Sequence, residues 1–106
     1  MTRKEALAEL IEKVESGKTA KVRVWYWAVG SRYSVASKAA AGYLDAAKAL
    51  HEAVLPGWWW KVIHPDPSYV QVGMPGIGVY AAQSEDPARA WLLAILRALY
   101  AQETDT

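Results

Sequence analysis

An α+β fold, a small antiparallel sheet packed with three to four helices in the order α-β-α-β-β-β-α, is the reading that three features of this chain support. Leu7, Leu10, Ile11 and Val14 near the start, and Leu92, Ile95, Leu96 and Leu99 near the end, recur at helical spacing. Between positions 58 and 82, three short runs rich in β-branched and aromatic residues are separated by Pro- and Gly-containing turns. The 106 residues give room for one domain and one core, with 102–106 expected as a disordered tail.

The first helix has its start written beside it. Thr2 stands three positions before Glu5, the spacing of a reciprocal capping box, and Gly17 is placed to end the helix. Residues 18–29 alternate instead. Val22, Val24 and Tyr26 interleave with Lys21, Arg23, Trp25 and Trp27, the period of a strand, and this predicts an additional strand with the first three side chains inside. An Ala-rich helix is expected over 33–41, broken at Gly42, and another over 44–54 with Tyr43, Ala47, Leu50 and Val54 on one face. Pro56-Gly57 stops it.

Strands are then expected over 58–64, 69–74 and 77–82, joined by His64-Pro65-Asp66-Pro67-Ser68 and by Pro75-Gly76. Two-residue spacing puts Val70, Val72 and Met74 on one face, and Ile77, Val79 and Ala81 on one face, of a meander with one side covered. For the last helix Asp86 is the cap, and Pro87 falls at the first helical position, where its missing N–H is harmless.

Composition narrows the function classes. Cysteine is absent, which removes disulfides, thiol nucleophiles and cysteine-ligated zinc. Residues 1–5 run into alternating charge without the apolar core of a secretory signal, and no apolar stretch approaches the roughly 20 residues of a membrane helix. A soluble, cytoplasmic protein with no membrane partner is expected. The net charge of +1 is unevenly spread: over 17–48 six bases face the single acid Asp45, a local charge of +5 that leaves −4 for the rest. Such a field attracts anionic partners.

Residues 43–58, ending in Leu55-Pro56-Gly57-Trp58, and the Asp86-Pro87 helix over 86–99 carry a likeness to known sequences. With the strands between them they resemble small phage and prophage proteins of unknown function, the phage α/β/α (ABA) sandwich group. The resemblance spans the first helix and roughly the C-terminal two thirds, and nothing in it matches 18–33. It implies a phage origin, a bacterial host and helical layers on both faces of the sheet, and assigns no catalytic or ligand residues.

Catalytic constellations are weak. His51-Glu52 lacks the second histidine of a zinc-protease helix, His64 with Asp66 supplies too few metal ligands, and no serine sits in a nucleophile elbow. Both histidines read as ordinary residues, His51 on a partly exposed helical face and His64 in a turn. Asp45 and Glu52, seven apart, leave a small carboxylate enzyme as the third reading. The Gly73–Gly78 stretch lacks the lysine and helix of a phosphate loop and reads as a turn between strands.

The aromatic content is more telling. Six Trp and six Tyr occur with no Phe, so nearly every large ring has a polar handle, the composition of interfaces and ligand pockets. In Trp58-Trp59-Trp60 alternation sends Trp59 away from the other two. Lys21, Arg23, Trp25, Trp27, Arg32, Tyr33 and Trp59 are therefore the candidate ligand-binding or interface residues; no catalytic residue, metal ligand or cofactor is expected. The leading expectation is a non-enzymatic phage accessory protein acting by binding. Counter-defence is the job expected of it, by occluding a host protein or sequestering a small anionic signal such as a nucleotide. A nucleic-acid-binding protein using 18–48 is the alternative, and a homodimer is the expected assembly.

Overall fold

Thr2 opens the first helix as its spacing predicts. Its Oγ1 accepts from the Glu5 amide at 3.1 Å while the Glu5 carboxylate accepts from the Thr2 amide at 2.9 Å. The helix that follows, α1 (Arg3–Glu15), buries Ala6, Leu7, Leu10 and Val14 along one stripe. The computed structural model describes residues 1–63 and 67–103.

The next segment corrects the sequence reading. Instead of a strand over 18–29, the chain forms α2 (Val22–Val29), a helical turn at Gly30–Arg32, and α3 (Tyr33–Ala40). In α2 the buried side chains are Val24, Trp25, Ala28 and Val29, a helical stripe that packs on α1 and α3. Eight residues make too short a helix to hold by itself, so this tertiary packing selects the helix over the β preference of Val and Trp.

Gly42 does break the Ala-rich run, at φ +104, which a side-chain-bearing residue rarely adopts. A Cβ there would also lie 2.7 Å from the Asp86 carboxylate. Beyond it, α4 (Leu44–Val54) buries Ala47, Leu50 and His51, whereas Tyr43 is exposed and Val54 half-buried.

β1 (Trp59–Ile63), β2 (Ser68–Met74) and β3 (Gly78–Ser84) form an antiparallel meander in sequence order. The β2–β3 turn has Pro75 and Gly76 at its two central positions. The Ile77 amide donates to the Met74 carbonyl at 3.0 Å, and Gly76 takes φ +83 as the second central residue of such a turn. The register follows. Met74 pairs with Gly78, which sets Val72 against Tyr80 and Val70 against Ala82 on the inner face. Ile77 and Val79 are consequently exposed and not core, because the turn puts the even-numbered residues of β3 opposite the buried ones of β2.

The last helix, α5 (Pro87–Gln102), is capped by Asp86, whose carboxylate accepts from the Ala88 and Arg89 amides at 2.8 and 3.1 Å. It is buried on nearly every side: Leu92, Leu93, Ile95 and Leu96 are all inside, with Ala90, Ala94 and Ala98 between them. A helix apolar all round must have neighbours all round. The sheet packs on one side of α5 through β2 and β3, and α1, α3 and α4 pack on it from elsewhere. Each of those leucines contributes roughly 1.5–3 kcal/mol relative to exposure.

The fold is thus α+β with a three-stranded antiparallel sheet. Among the described residues the helical packing lies on one face of the sheet, and the expected layer on its other face is not found: Trp59, Ile63 and Val79 are exposed there. Within the stretch expected as a tail, Gln102 closes α5 and Glu103 pairs with Arg3 at 3.3 Å; 104–106 lie outside the described residues.

Candidate functional site

α2 determines where the candidate residues stand. Its buried stripe turns Val22, Arg23, Tyr26 and Trp27 outward, as two i, i+4 pairs side by side on the exposed face. Val22 is 64% exposed, Tyr26 59% and Trp27 52%, high values for large apolar side chains. The Arg3 Nε donates to the Ala28 carbonyl at 2.9 Å and fixes the last turn of α2 to α1. After the Gly30–Arg32 turn, Tyr33 comes back alongside: its ring meets that of Tyr26 edge-on, with centroids 6.3 Å apart.

Five of the seven residues singled out in the sequence therefore belong to one surface. Lys21 at the start of α2, Arg23 and Trp27 on it, Arg32 in the turn and Tyr33 at the head of α3 are all exposed. No acidic residue occurs between Glu15 and Asp45, and among the described residues Lys21, Arg23 and Arg32 make no ion pair. Two residues are placed elsewhere. Trp25 is 6% exposed and belongs to the core, because a helix puts it a quarter turn from Val24 where a strand would have put it opposite. Trp59 lies on the outer face of the sheet, with its indole over Gly73, its partner across the strand pair. The reading of Tyr26 as an inward residue is reversed, as is that of Val22.

Sequence reasoning missed His51. Expected on a partly exposed face, it is fully buried, with both ring nitrogens engaged. Nε2 lies 2.9 Å from the Trp58 carbonyl oxygen and Nδ1 accepts from the Trp91 indole N–H at 3.2 Å. The rings of Trp60 and Trp91 flank it, with centroids at 5.1 and 5.7 Å. Burial pushes its pKa below the ordinary histidine value, against weaker opposing effects of the Trp58 carbonyl and the Glu52 charge. The signal was present: His51 follows Ala47 by four and Leu50 by one, on the stripe that α4 buries. His64 and Asp66, weighed as metal ligands, lie outside the described residues, among which no group of three His, Asp or Glu side chains is placed to hold a metal. No helix among them is long and apolar enough to cross a membrane.

Comparison with protein-family models, curated proteins and solved structures finds no match to this chain.

Proposed function

We propose that the protein acts by binding, not catalysis, through the outward face of α2 and the turn into α3, and that its partner is anionic. One observation carries this: Val22, Tyr26, Trp27 and Tyr33 are exposed together, beside Lys21, Arg23 and Arg32, in a stretch without an acid. Isolated exposed apolar residues need no explanation, but a contiguous aromatic patch with arginine has the composition of an interface core. His51 adds support, since its two ring nitrogens are spent inside the core and none is left for a substrate.

A phage accessory protein in the cytoplasm of a bacterial host is the setting we infer from the sequence resemblance. There the patch would cover a host protein or hold an anionic signal, in keeping with counter-defence. The nucleic-acid reading rests on the same residues, since rings stack on bases while cations meet phosphates. Passing the protein over immobilised single-stranded DNA separates the two. Retention that weakens steeply with salt, and is lost in Trp27→Ala, selects nucleic acid. Flow-through at low salt, with Trp27-dependent capture of a host component, selects the protein or small-molecule partner. Neither retention nor Trp27-dependent capture would sink both.

A further inference from the structure

Between the end of α1, the loop leading into α2, Trp25 and the end of α3 the helices leave a cavity of about 320 Å³. That is near the lower end of the range for small-molecule sites, about 300–1,000 Å³. Its lining divides by chemistry. Val14, Ala20, Trp25 and Ala40 supply apolar surface, whereas Lys18 and Arg89 supply two positive charges and Thr19 a hydroxyl; the Ser37 hydroxyl already donates to the Ser34 carbonyl at 2.9 Å, and no carboxylate belongs to the lining.

Arg89 is held ready. Its Nε and Nη2 both donate to the Ala40 carbonyl oxygen, at 3.3 and 3.2 Å, closing the end of α3. This contact fixes the plane of the guanidinium and offsets the negative end of the α3 dipole, while Nη1 takes no part in it and keeps two protons for another acceptor. Among the described residues the amides of Thr19 and Ala20, in the loop that walls the cavity, also have no backbone acceptor. A site lined by cationic donors and an indole, with no carboxylate in its own lining, selects its ligand by charge and shape.

We propose that this cavity binds a small organic anion: a carboxylate or phosphate, held between Arg89 and Lys18, on a flat apolar body that lies against Trp25. The site is separate from the outward face of α2, because Trp25 belongs to the inward face of that helix. Neither proposal depends on the other.

Isothermal titration of the full chain with three probes tests it: inorganic phosphate, benzoate and adenosine monophosphate. One of the two aromatic anions should bind more tightly than inorganic phosphate, benzoate if the charged end is a carboxylate, the nucleotide if it is a phosphate. Lys18→Glu and Arg89→Gln should each weaken that binding by about tenfold or more, the loss of one charge-assisted hydrogen bond. Ala41→Trp, which puts a large ring in place of a small lining side chain, should abolish it. Arg89→Gln also strips a cap from α3; should it unfold, Lys18→Glu and Ala41→Trp still decide. No heat from any probe at millimolar concentration, equal affinity for all three, or binding that survives both of those variants would overturn the proposal.

Discussion

The Trp91 indole donates its only proton to His51 Nδ1, 3.2 Å away, and so dictates the tautomer of a buried imidazole. An indole nitrogen can only donate, so Nδ1 carries no hydrogen and Nε2 must carry it, donating to the Trp58 carbonyl at 2.9 Å. One neutral ring thereby ties α4 to α5 and to the residue that leads into β1.

A pH dependence follows. Burial disfavours the charge, so the folded-state pKa lies below the unfolded value of about 6.5, and a protonated ring would in addition set its Nδ1–H against the Trp91 N–H. Below that value the unfolded chain binds more protons than the folded one. Stability should be fully present above about pH 6.5 and be lost progressively as pH falls through the folded pKa. Urea unfolding between pH 8 and pH 5 measures this, and His51→Gln should flatten the part of the slope that histidine contributes.

Trp91→Phe leaves His51 Nδ1 buried with no donor. The loss should be about 1–3 kcal/mol for the unmet acceptor, with a further loss for the missing half of the indole. Chemical denaturation at pH 8 reads it directly, and stability equal to the parent protein would mean that the contact has no energetic weight.

Leu96 and Arg97 give a contrast within α5. Leu96 is fully buried, so Leu96→Ala should cost about 2–5 kcal/mol through lost burial and the cavity left. Arg97 bridges elements instead, donating to the Ala81 carbonyl at 2.7 Å and to Glu15 at 3.1 Å, but it is partly exposed. Arg97→Ala should cost about 1 kcal/mol. Equal thermal shifts would contradict this assignment of faces.

The parts of the fold that were legible in the sequence are those where one local signal had one meaning. Thr2 with Glu5, Asp86 with Pro87, and Pro75-Gly76 each specify a backbone geometry that no distant residue needs to supply. Residues 22–29 carry no such signal. Every position there except Arg23 is apolar or aromatic, so alternate residues and helical neighbours both make a plausible buried set. The choice falls to packing on α1 and α3, which a sequence read alone does not show. That ambiguity moved Trp25 into the core and Tyr26 out of it, while Lys21, Arg23, Trp27, Arg32 and Tyr33 stayed outside under either reading.

Self-association is the remaining expectation from the sequence. Both β1 and β3 are edge strands, and Trp59, Ile63 and Val79 are exposed on the uncovered face of the sheet. A twofold dimer through this face or an edge needs one self-complementary patch. Light scattering at micromolar concentration should give twice the chain mass, and Val79→Lys should return it to the monomer. A monomer mass for the parent protein would count against the dimer.

The binding face is tested most directly by Trp27→Ala, with Lys21→Glu/Arg23→Glu beside it. Circular dichroism and thermal melting check the fold, and quantitative mass spectrometry of what each protein captures from a bacterial lysate reads the function. Trp27 is 52% exposed, so the fold should survive its removal, whereas a ring at the centre of an interface can contribute about 2 kcal/mol or more to binding. The expected result is unchanged melting with loss of a captured partner in both variants, and, for the charge reversal, a loss most visible at low salt. Capture by Trp27→Ala identical to that of the parent protein, or a variant that no longer folds, would contradict a binding face on α2.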